Sequence, residues 1–185
     1  KDVLEAYKTG KSCFIYSEFV INSGSILLTC LLNLFGFSRA YGGEVAKSKR
    51  YAIVSGSTSS ANEITDIINT FNSPANSRGE IINVIIGSEV IREGYTLKNI
   101  QIENILTPHW NYSETDQAIA RGWRLGSHKD RPDIKEVVIN QRVSLENKKN
   151  TSIDLTMYSI SENKDIKIKA LERIIKEAAM DCGLN

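Results

Sequence analysis

The feature that most constrains this chain is a nearly continuous apolar run at residues 81–86, Ile-Ile-Asn-Val-Ile-Ile. A strand with one face in water alternates polar and apolar residues, whereas an uninterrupted run is typical of a strand buried on both faces of a parallel sheet. Parallel strands need crossover connections, usually helices. The run therefore predicts an α/β domain whose helices cover both faces of its sheet.

The rest of the chain repeats this alternation of strand and helix. Short apolar segments predict four further strands, at residues 13–16, 51–54, 100–106 and 136–139. A helix is predicted at residues 24–35, with Leu27, Leu28, Leu31, Leu32 and Phe35 as its buried stripe and Gly36 as its stop. A second helix begins with the capping box Ser60-x-x-Glu63. Residues 38–50 lack periodicity and are predicted to form a loop. Right-handed crossovers between these strands imply a mostly parallel sheet flanked by helices.

Composition excludes some classes of protein. The chain has 185 residues, 41% apolar and 24% charged, which suits one well-filled core in a soluble protein. Its formal net charge of +1 does not by itself suggest a nucleic-acid partner. No apolar run reaches membrane-spanning length, so no membrane partner is expected. Because the chain opens on Lys1 without a signal peptide, we expect a piece of a longer intracellular protein.

Metal and phosphate-loop chemistry find little support in the sequence. The three cysteines, Cys13, Cys30 and Cys182, lack the spacing of metal ligands and are expected to be reduced, buried thiols. The two histidines have no second ligand nearby, so no metal site is predicted. Thr9-Gly10-Lys11-Ser12 resembles part of a phosphate-binding loop, but it precedes a strand instead of following one. We interpret it as a turn.

The segment from Ser88 to Leu97 follows the central apolar strand directly. In open α/β sheets, ligands bind outside the carboxyl ends of the strands. The Ser88 hydroxyl and the backbone N–H groups of a tight turn can hold phosphates without reading base sequence. Gly94 would permit a positive φ or the close approach of a ligand. A strand-end turn with a structural glycine explains the same residues.

Residues 113–128 carry the densest chemistry. Ser113 is predicted to cap a helix with Glu114 and Asp116 in its first turn. Gln117, Arg121 and Arg124 would then follow at i, i+4 and i+7 on one helical face. Two guanidinium forks and an amide converging from one face suit a polyanion such as a phosphate chain. The alternative is a surface helix whose arginines are solvated or ion-paired. Trp110 is open to two interpretations, a packing anchor or a contact with a base.

These residues also carry a family resemblance. Gln117-x-x-x-Arg121-x-x-Arg124 resembles the last motif of superfamily-2 helicases and translocases. The longer string from Pro108-x-Trp110 to Gly126 resembles the Snf2-like branch and its poxvirus and giant-virus relatives. Ser88 with Glu93-Gly94-x-x-Leu97 resembles the penultimate motif, and Ser17 after the first strand resembles the first motif of the second lobe. Ala118, Ala120 and Trp123 depart from the DEAD-box form. The Ser127-His128 pair matches viral members, although the sequence suggests no role for it.

The resemblance implies the C-terminal RecA-like lobe of a two-lobe motor, a three-layer domain. ATP and Mg²⁺ would be held mainly by a first lobe, the N-terminal RecA-like lobe of the same polypeptide, because this chain has no phosphate loop and no Asp-Glu box. Arg124, and secondarily Arg121, would act as arginine fingers that reach out from the rim where the strands end. The remaining site residues implied are Gln117, Glu93 and Gly94 for the nucleotide, and Ser17, Ser88 and Gly56 for the DNA or RNA backbone.

The resemblance also bears on domain organisation and setting. Residues 1–145 would form the core, and residues 146–185 would form an extension. A polar linker at 145–151 would join the two. The extension would end in a helix capped by Ser159-x-x-Glu162 and packed on the same domain, with a buried stripe of Leu171, Ile174, Ile175, Ala178 and Ala179. Viral transcription or replication, in the host cytoplasm or the virion, would be its setting.

Two alternatives belong to other classes. The first is a non-catalytic lobe that binds nucleic acid or protein and keeps the motor motifs as scaffold; intact Gln117, Arg121 and Arg124 argue against it. The second is a free-standing small α/β enzyme, which fails because no nucleophile–base pair or metal constellation is present.

Overall fold

A computed structural model gives the fold, and it describes residues 1–21, 24–43, 49–145 and 152–178, without the side chains of residues 92 and 93. The chain divides into two compact units. The first comprises Lys1–Thr107 and Gln117–Arg142, and the second comprises Pro108–Asp116 and Val143–Asn185. The predicted linker at 145–151 lies outside the described residues except for Leu145.

Strands and helices alternate along the first unit as predicted. Their order is α1 (Asp2–Lys8), β1 (Ser12–Tyr16), α2 (Ser25–Leu34), β2 (Ser38–Arg39), β3 (Arg50–Val54), α3 (Ala61–Phe71), a 3₁₀ turn (Pro74–Asn76), β4 (Val84–Gly87), α4 (Glu89–Gly94), β5 (Ile100–Ile105), α5 (Tyr112–Ile119) and β6 (Val138–Gln141). Helix α5 begins in the second unit and ends in the first. Helix α6 (Ile153–Ala178) belongs to the second unit.

The sheet has six strands in the order β2-β3-β4-β1-β5-β6, and every pairing is parallel. Strand β4, predicted from the 81–86 run, lies between β3 and β1, with Val84 opposite both Tyr51 and Cys13. The predicted parallel α/β sheet is therefore confirmed. The loop prediction for residues 38–50 is wrong at Ser38–Arg39, which pairs at the edge of the sheet with Arg50 and Tyr51. Two residues are too few to display a period of two.

Both faces of the sheet are buried. Phe14 and Tyr16 of β1 point to one side, where Ile64 and Ile67 of α3 pack. Cys13 and Ile15 point to the other side, towards Ala6 of α1 and Leu32 of α2. This alternation within one strand makes the domain three-layered, with α3, α4 and α5 on one face and α1 and α2 on the other.

The ends of several elements agree with the sequence. Gly10 adopts φ +64° in the turn between α1 and β1, so Thr9–Lys11 is a turn as expected, while Ser12 already belongs to β1. Helix α2 ends before Gly36, which has φ +80°. Only Leu32 of the predicted α2 stripe is fully buried, and Leu27, Leu31 and Phe35 are about half exposed. Cys13 is a buried free thiol, but Cys30 on α2 is exposed, so that expectation is wrong for Cys30.

The capping box of α3 is complete. The Ser60 hydroxyl accepts from the Glu63 N–H at 3.3 Å, and the Glu63 carboxylate accepts from the Ser60 N–H at 3.3 Å. Ser60→Ala should lower the free energy of unfolding by about 1 kcal/mol, because the Glu63 N–H loses its side-chain acceptor at the helix start. Urea unfolding checks this. Ser60→Asp, which keeps an acceptor at the cap, should lose much less, and equal losses in the two variants would contradict the capping role.

Helix α6 differs from the prediction. It begins at Ile153, where the Ser152 hydroxyl accepts from the Leu155 N–H at 3.2 Å, and Ser159 lies inside the helix instead of capping it. Leu171, Ile174 and Ile175 are about 60% exposed and Ala178 is also exposed, so the predicted buried stripe is wrong there; Ala179 lies outside the described residues. Periodicity shows which residues share a helical face, not whether anything covers it. No helix in the described part of the chain is long and apolar enough to cross a membrane.

Candidate functional site

Hydroxyl groups gather where the central strands end. Ser17 follows β1 and donates its N–H to the Gly87 carbonyl at 3.0 Å, while Ser88 follows β4 and donates its N–H to the Val54 carbonyl at 3.2 Å. Gly56 lies two residues beyond β3 and is exposed. The structure thus brings Ser17, Gly56 and Ser88 to one edge of the sheet; we call these three residues the strand-end cluster.

Sequence reasoning missed neighbouring hydroxyls at the same edge. Residues 55–60 read Ser-Gly-Ser-Thr-Ser-Ser directly after β3, and the Ser55 and Ser57 hydroxyls are hydrogen-bonded at 3.0 Å. A run of hydroxyl residues straight after an apolar strand is the signal that could have identified them. Such groups, with backbone N–H donors, contact phosphate oxygens without reading the bases.

The segment from Ser88 to Leu97 forms a helix instead of a tight turn. Ser88 precedes α4, and Gly94 is its last residue. Gly94 does not have a positive φ, so that expectation is wrong. A Cβ built at Gly94 would meet no described atom within 4 Å, and close approach of a ligand stays a prediction. The side chain of Glu93 lies outside the described part of the structure. After Gly94 the chain crosses from the carboxyl end of β4 to the amino end of β5.

The two arginines do not share a helical face, so that prediction is wrong. Helix α5 begins at Tyr112, which places Ser113 inside it, and it ends at Ile119. Gln117 is on the helix, while Arg121 and Arg124 lie in the turn and loop that follow. We call residues 120–128 the arginine loop. The N–H groups of Gly122 and Trp123 both reach the Ile119 carbonyl at 3.2 Å, which closes the helix.

A close contact with the sheet explains why residue 122 is glycine. A Cβ built at this position would overlap the carboxylate of Glu103 on β5. The backbone of the arginine loop therefore lies directly on a buried side chain of the sheet. A pattern of Gln and Arg spacings cannot reveal this contact, because Glu103 is 19 residues away from Gly122 in the sequence.

The arginine loop lies near the amino end of β5, not at the rim where the strands end. The Arg121 carbonyl accepts from the Leu97 N–H at 2.8 Å, and the Ser127 carbonyl accepts from the Asn99 N–H at 3.1 Å. The reason is topological: α5 follows β5 and runs back along it, so the residues after the helix return to the start of the strand. Our expectation that both arginines reach out from the carboxyl rim is therefore wrong about the edge.

Neither arginine is neutralised by a carboxylate among the residues that the structure describes. Arg124 is exposed, and its Nη1 donates to the Thr96 hydroxyl at 3.0 Å, a neutral partner. Arg121 is half-buried, and its buried Nε has no hydrogen-bond partner in the described part of the chain. The geometry therefore does not support the competing interpretation, in which the two arginines form ion pairs with carboxylates of the same domain. Gln117 is exposed at the end of α5.

Asn72 fixes the segment that holds Arg124. Its side-chain N–H donates to the Thr96 carbonyl at 2.8 Å, and its oxygen accepts from the Lys98 N–H at 2.8 Å. Asn72, at the end of α3, thus fixes the backbone of Thr96. The Thr96 hydroxyl in turn accepts the hydrogen bond from Arg124. Sequence reasoning missed both residues, because a contact across 24 or 28 positions leaves no local pattern.

The buried Glu103 has unusual electrostatics. Its side chain has no exposed surface, and neither carboxylate oxygen has a hydrogen-bond partner among the described residues. Burial raises the pKa of Glu103 to about 8, because an apolar surrounding disfavours the charged form. Burial also raises the pKa of the neighbouring Cys13 to about 12; the Asn104 hydrogen bond lowers it and the Glu103 charge raises it further.

A cavity of about 540 Å³ lies beside the arginine loop. Trp123, Arg124 and His128 line it, together with Lys129 and Lys135 from the following segment. The Trp123 side chain is 64% exposed, so its ring is accessible. A cavity of this size takes a ligand as large as a nucleotide. Cations and an aromatic ring are groups that bind phosphate and a base. No group of three or more metal-ligating side chains occurs within the described ranges.

Trp110 and His109 belong to the second unit. The Trp110 side chain is 52% exposed, so it is not a core residue. His109 is buried, with its Nδ1 3.3 Å from a Glu114 carboxylate oxygen. Neither observation identifies a ligand.

Comparison with known proteins agrees with these motifs. The family model described as the helicase conserved C-terminal domain matches residues 2–126, more than half of the chain. The chain belongs to this helicase family. The matched range includes the strand-end cluster, Gln117 and both arginines, and it ends at Gly126 inside the arginine loop.

The relatives of this helicase domain include viral proteins. It is 52% identical over 186 residues to “Putative helicase 087L” of Invertebrate iridescent virus 3, with 97% of the chain and 19% of that relative covered. It is 44% identical over 176 residues to “Putative helicase 009L” of Frog virus 3 (isolate Goorha), with 92% and 18% covered. The chain thus spans about a fifth of the length of these curated relatives.

A solved structure supports the fold. The crystal structure of the C-terminal part of the Fun30 ATPase domain matches with a TM-score of 0.62 at 18% identity. The match covers 86% of this chain and 42% of that one. The predicted RecA-like architecture, with its parallel sheet and flanking helices, is confirmed, and so is the resemblance to viral helicases.

Proposed function

We propose that this chain is the second lobe of an ATP-dependent nucleic-acid helicase or translocase. In this proposal the N-terminal RecA-like lobe of the same polypeptide holds ATP and Mg²⁺, and this lobe closes over the bound nucleotide. Large DNA virus transcription or replication is the proposed process, in the host cytoplasm or the virion. Three observations support this function over a purely structural lobe: the helicase family, the parallel sheet, and two arginines that pair with no carboxylate in the described part of the chain.

The observation that carries the proposal is the state of Arg124. An exposed guanidinium that donates to a neutral hydroxyl keeps its charge available for an anionic ligand. Its planar donors match the oxygens of a γ-phosphoryl group, over which charge spreads in the transition state of phosphoryl transfer. Arg124 is the proposed arginine finger, Arg121 assists it, and Gln117 with Glu93 and Gly94 completes the nucleotide side.

The strand-end cluster is the proposed contact with a DNA or RNA backbone. It lies at the carboxyl edge of the sheet, whereas the arginine loop lies near the amino end of β5. The segment from Ser88 to Leu97 touches both places: Ser88 belongs to the cluster, and Leu97 bonds to the Arg121 carbonyl. A change in how the lobe grips a nucleic-acid strand would therefore be transmitted to the arginines through one short segment.

The cavity beside Arg124 fits the same proposal. Lys129 and Lys135 line it together with Arg124, and in this proposal they contact the phosphate chain. In this proposal the first lobe forms the pocket for the triphosphate, and this lobe adds only positive charge. Lys129 and Lys135 would therefore strengthen ATP binding only when both lobes are present.

The division of labour predicts that the purified 185-residue chain hydrolyses no ATP, since it lacks a phosphate loop and a magnesium box. The full-length protein should hydrolyse ATP, and faster when DNA or RNA is added. Phosphate release assays on both proteins, with each nucleic acid tested separately, check this. Turnover by the purified chain would contradict the proposal. Nucleic-acid binding by a full-length protein without any ATP turnover would support the non-catalytic alternative.

A further inference from the structure

The pair Ser127-His128 closes the arginine loop with a continuous chain of hydrogen bonds. The Arg124 N–H donates to Ser127 Oγ at 3.3 Å, and Ser127 Oγ lies 2.8 Å from His128 Nδ1. His128 Nε2 lies 2.6 Å from the carbonyl oxygen of Ile100, the first residue of β5. The series joins the backbone of the proposed arginine finger to a strand of the central sheet.

The proton positions in this series follow from its two ends. A carbonyl oxygen only accepts, so His128 Nε2 must carry the hydrogen that bonds to Ile100. In a neutral imidazole the other nitrogen is then an acceptor, and the Ser127 hydroxyl must donate to it. The single hydroxyl proton is used there, which leaves the oxygen lone pairs to accept from the Arg124 N–H. The Gly122 carbonyl, at 3.5 Å from Ser127 Oγ, is the weaker competing acceptor.

Ser127 holds Arg124 from both sides of its Cα. Its N–H donates to the Arg124 carbonyl at 2.9 Å, while its hydroxyl accepts from the Arg124 N–H. Ser127 is itself 3% exposed, and its carbonyl accepts from Asn99. Two peptide groups around one residue are therefore fixed, so the direction in which the Arg124 side chain leaves the backbone is fixed as well.

The far end of the series is rigid. Ile100 has no exposed surface and pairs with Ser12 of β1, the strand between β4 and β5. The hydrogen bond of His128 to Ile100 therefore fixes the arginine loop relative to the sheet. The Thr96 hydroxyl holds the other end of the Arg124 side chain.

We infer that Ser127 and His128 are positioning residues that hold the Arg124 backbone against β5, so that its guanidinium meets the γ-phosphoryl group at one angle. This inference rests on the proposed function. A finger that is present but displaced by about 1 Å loses on the order of 10²-fold in rate. Substrate binding, which the first lobe dominates, changes little.

The test compares four variants of the full-length protein: Ser127→Ala, His128→Ala, His128→Asn and Arg124→Ala. Ser127→Ala and His128→Ala should each lower kcat for ATP by about 10²-fold, with KM for ATP changed by no more than about threefold. His128→Asn should recover about tenfold of that loss, because its side-chain oxygen can accept from Ser127 where Nδ1 did. A kcat for His128→Asn no higher than the kcat of His128→Ala would overturn the role of the histidine.

A double-mutant cycle separates positioning from general structural damage. Adding Ser127→Ala to Arg124→Ala should cause no further loss of kcat, because there is no guanidinium left to position. Multiplicative losses would overturn the inference, and so would wild-type kcat in Ser127→Ala. Single-turnover measurements with excess enzyme give the residual rates. If Arg124→Ala itself keeps wild-type turnover, the proposed function fails instead, so the two failures are distinguishable.

Discussion

Replacing Arg124 by alanine in the full-length protein is expected to lower kcat for ATP hydrolysis by about 10³–10⁵-fold, while ATP still binds. The loss corresponds to roughly 4–7 kcal/mol of transition-state stabilisation. This is far more than an exposed ion pair contributes to stability, which is about 0–1 kcal/mol. The physical reason is that no carboxylate among the described residues pairs with the guanidinium, and a transferring phosphoryl group would supply the negative charge.

Two controls make this prediction specific. Arg124→Lys keeps the charge but loses the planar fork, and it should retain part of the rate. Lys8→Ala removes an exposed cation at the end of α1, on the other face of the sheet, and it should change kcat by no more than about threefold if the finger is specific. Nucleotide binding is measured separately by equilibrium titration. Loss of ATP binding in Arg124→Ala, at unchanged fold, would show that the residue binds the ground state or supports the structure.

The second large effect concerns the buried Glu103. Its pKa of about 8 in the folded chain compares with 4.5 for an ordinary glutamate. Between these values the folded state binds more protons than the unfolded state, so stability falls as pH rises through this window. The cost is close to zero near pH 4 and reaches about 4 kcal/mol at pH 8. Glu103→Gln abolishes this titration, because its amide stays neutral at every pH.

Urea unfolding of the wild type and Glu103→Gln at pH 5 and pH 8 measures the effect. The wild type should lose about 3–4 kcal/mol relative to the variant over that interval. The comparison across pH matters more than the offset at one pH, because the buried amide also lacks partners and adds a constant cost. Glu136→Gln, at an exposed site on the same unit, is the matched control. Parallel pH profiles for the wild type and Glu103→Gln would show that the carboxyl is not buried as described.

The sheet could be predicted from sequence because its evidence is local. The apolar run at 81–86 overlaps β4, which spans Val84–Gly87, and its lack of alternation correctly indicated a strand covered on both faces. The capping box at Ser60 and the turn at Gly10 are also set by neighbouring residues, and both were correct. The strand-end cluster followed from topology, since carboxyl ends of parallel strands meet at one edge.

The arginine loop could not be predicted in the same way. Its conformation depends on Glu103 beneath Gly122 and on hydrogen bonds to residues 96–100. Helical spacing of Gln117, Arg121 and Arg124 suggested one continuous face, but α5 stops at Ile119. The roles of these residues stay predictions, and their predicted geometry was wrong. The predicted buried stripe of helix α6 was wrong for a related reason, because an apolar stripe in a sequence does not reveal whether another element covers it.

A structure of the full-length protein with ADP and aluminium fluoride, a mimic of the transferring phosphoryl group, tests the central claim most directly. We predict that the Arg124 guanidinium leaves the Thr96 hydroxyl and lies about 3 Å from the fluoride ligands. We also predict that Ser127 and His128 keep their bonds to the Arg124 backbone and to Ile100. A structure in which Arg124 is still bonded to Thr96, and other cations contact the aluminium fluoride instead, would contradict the account.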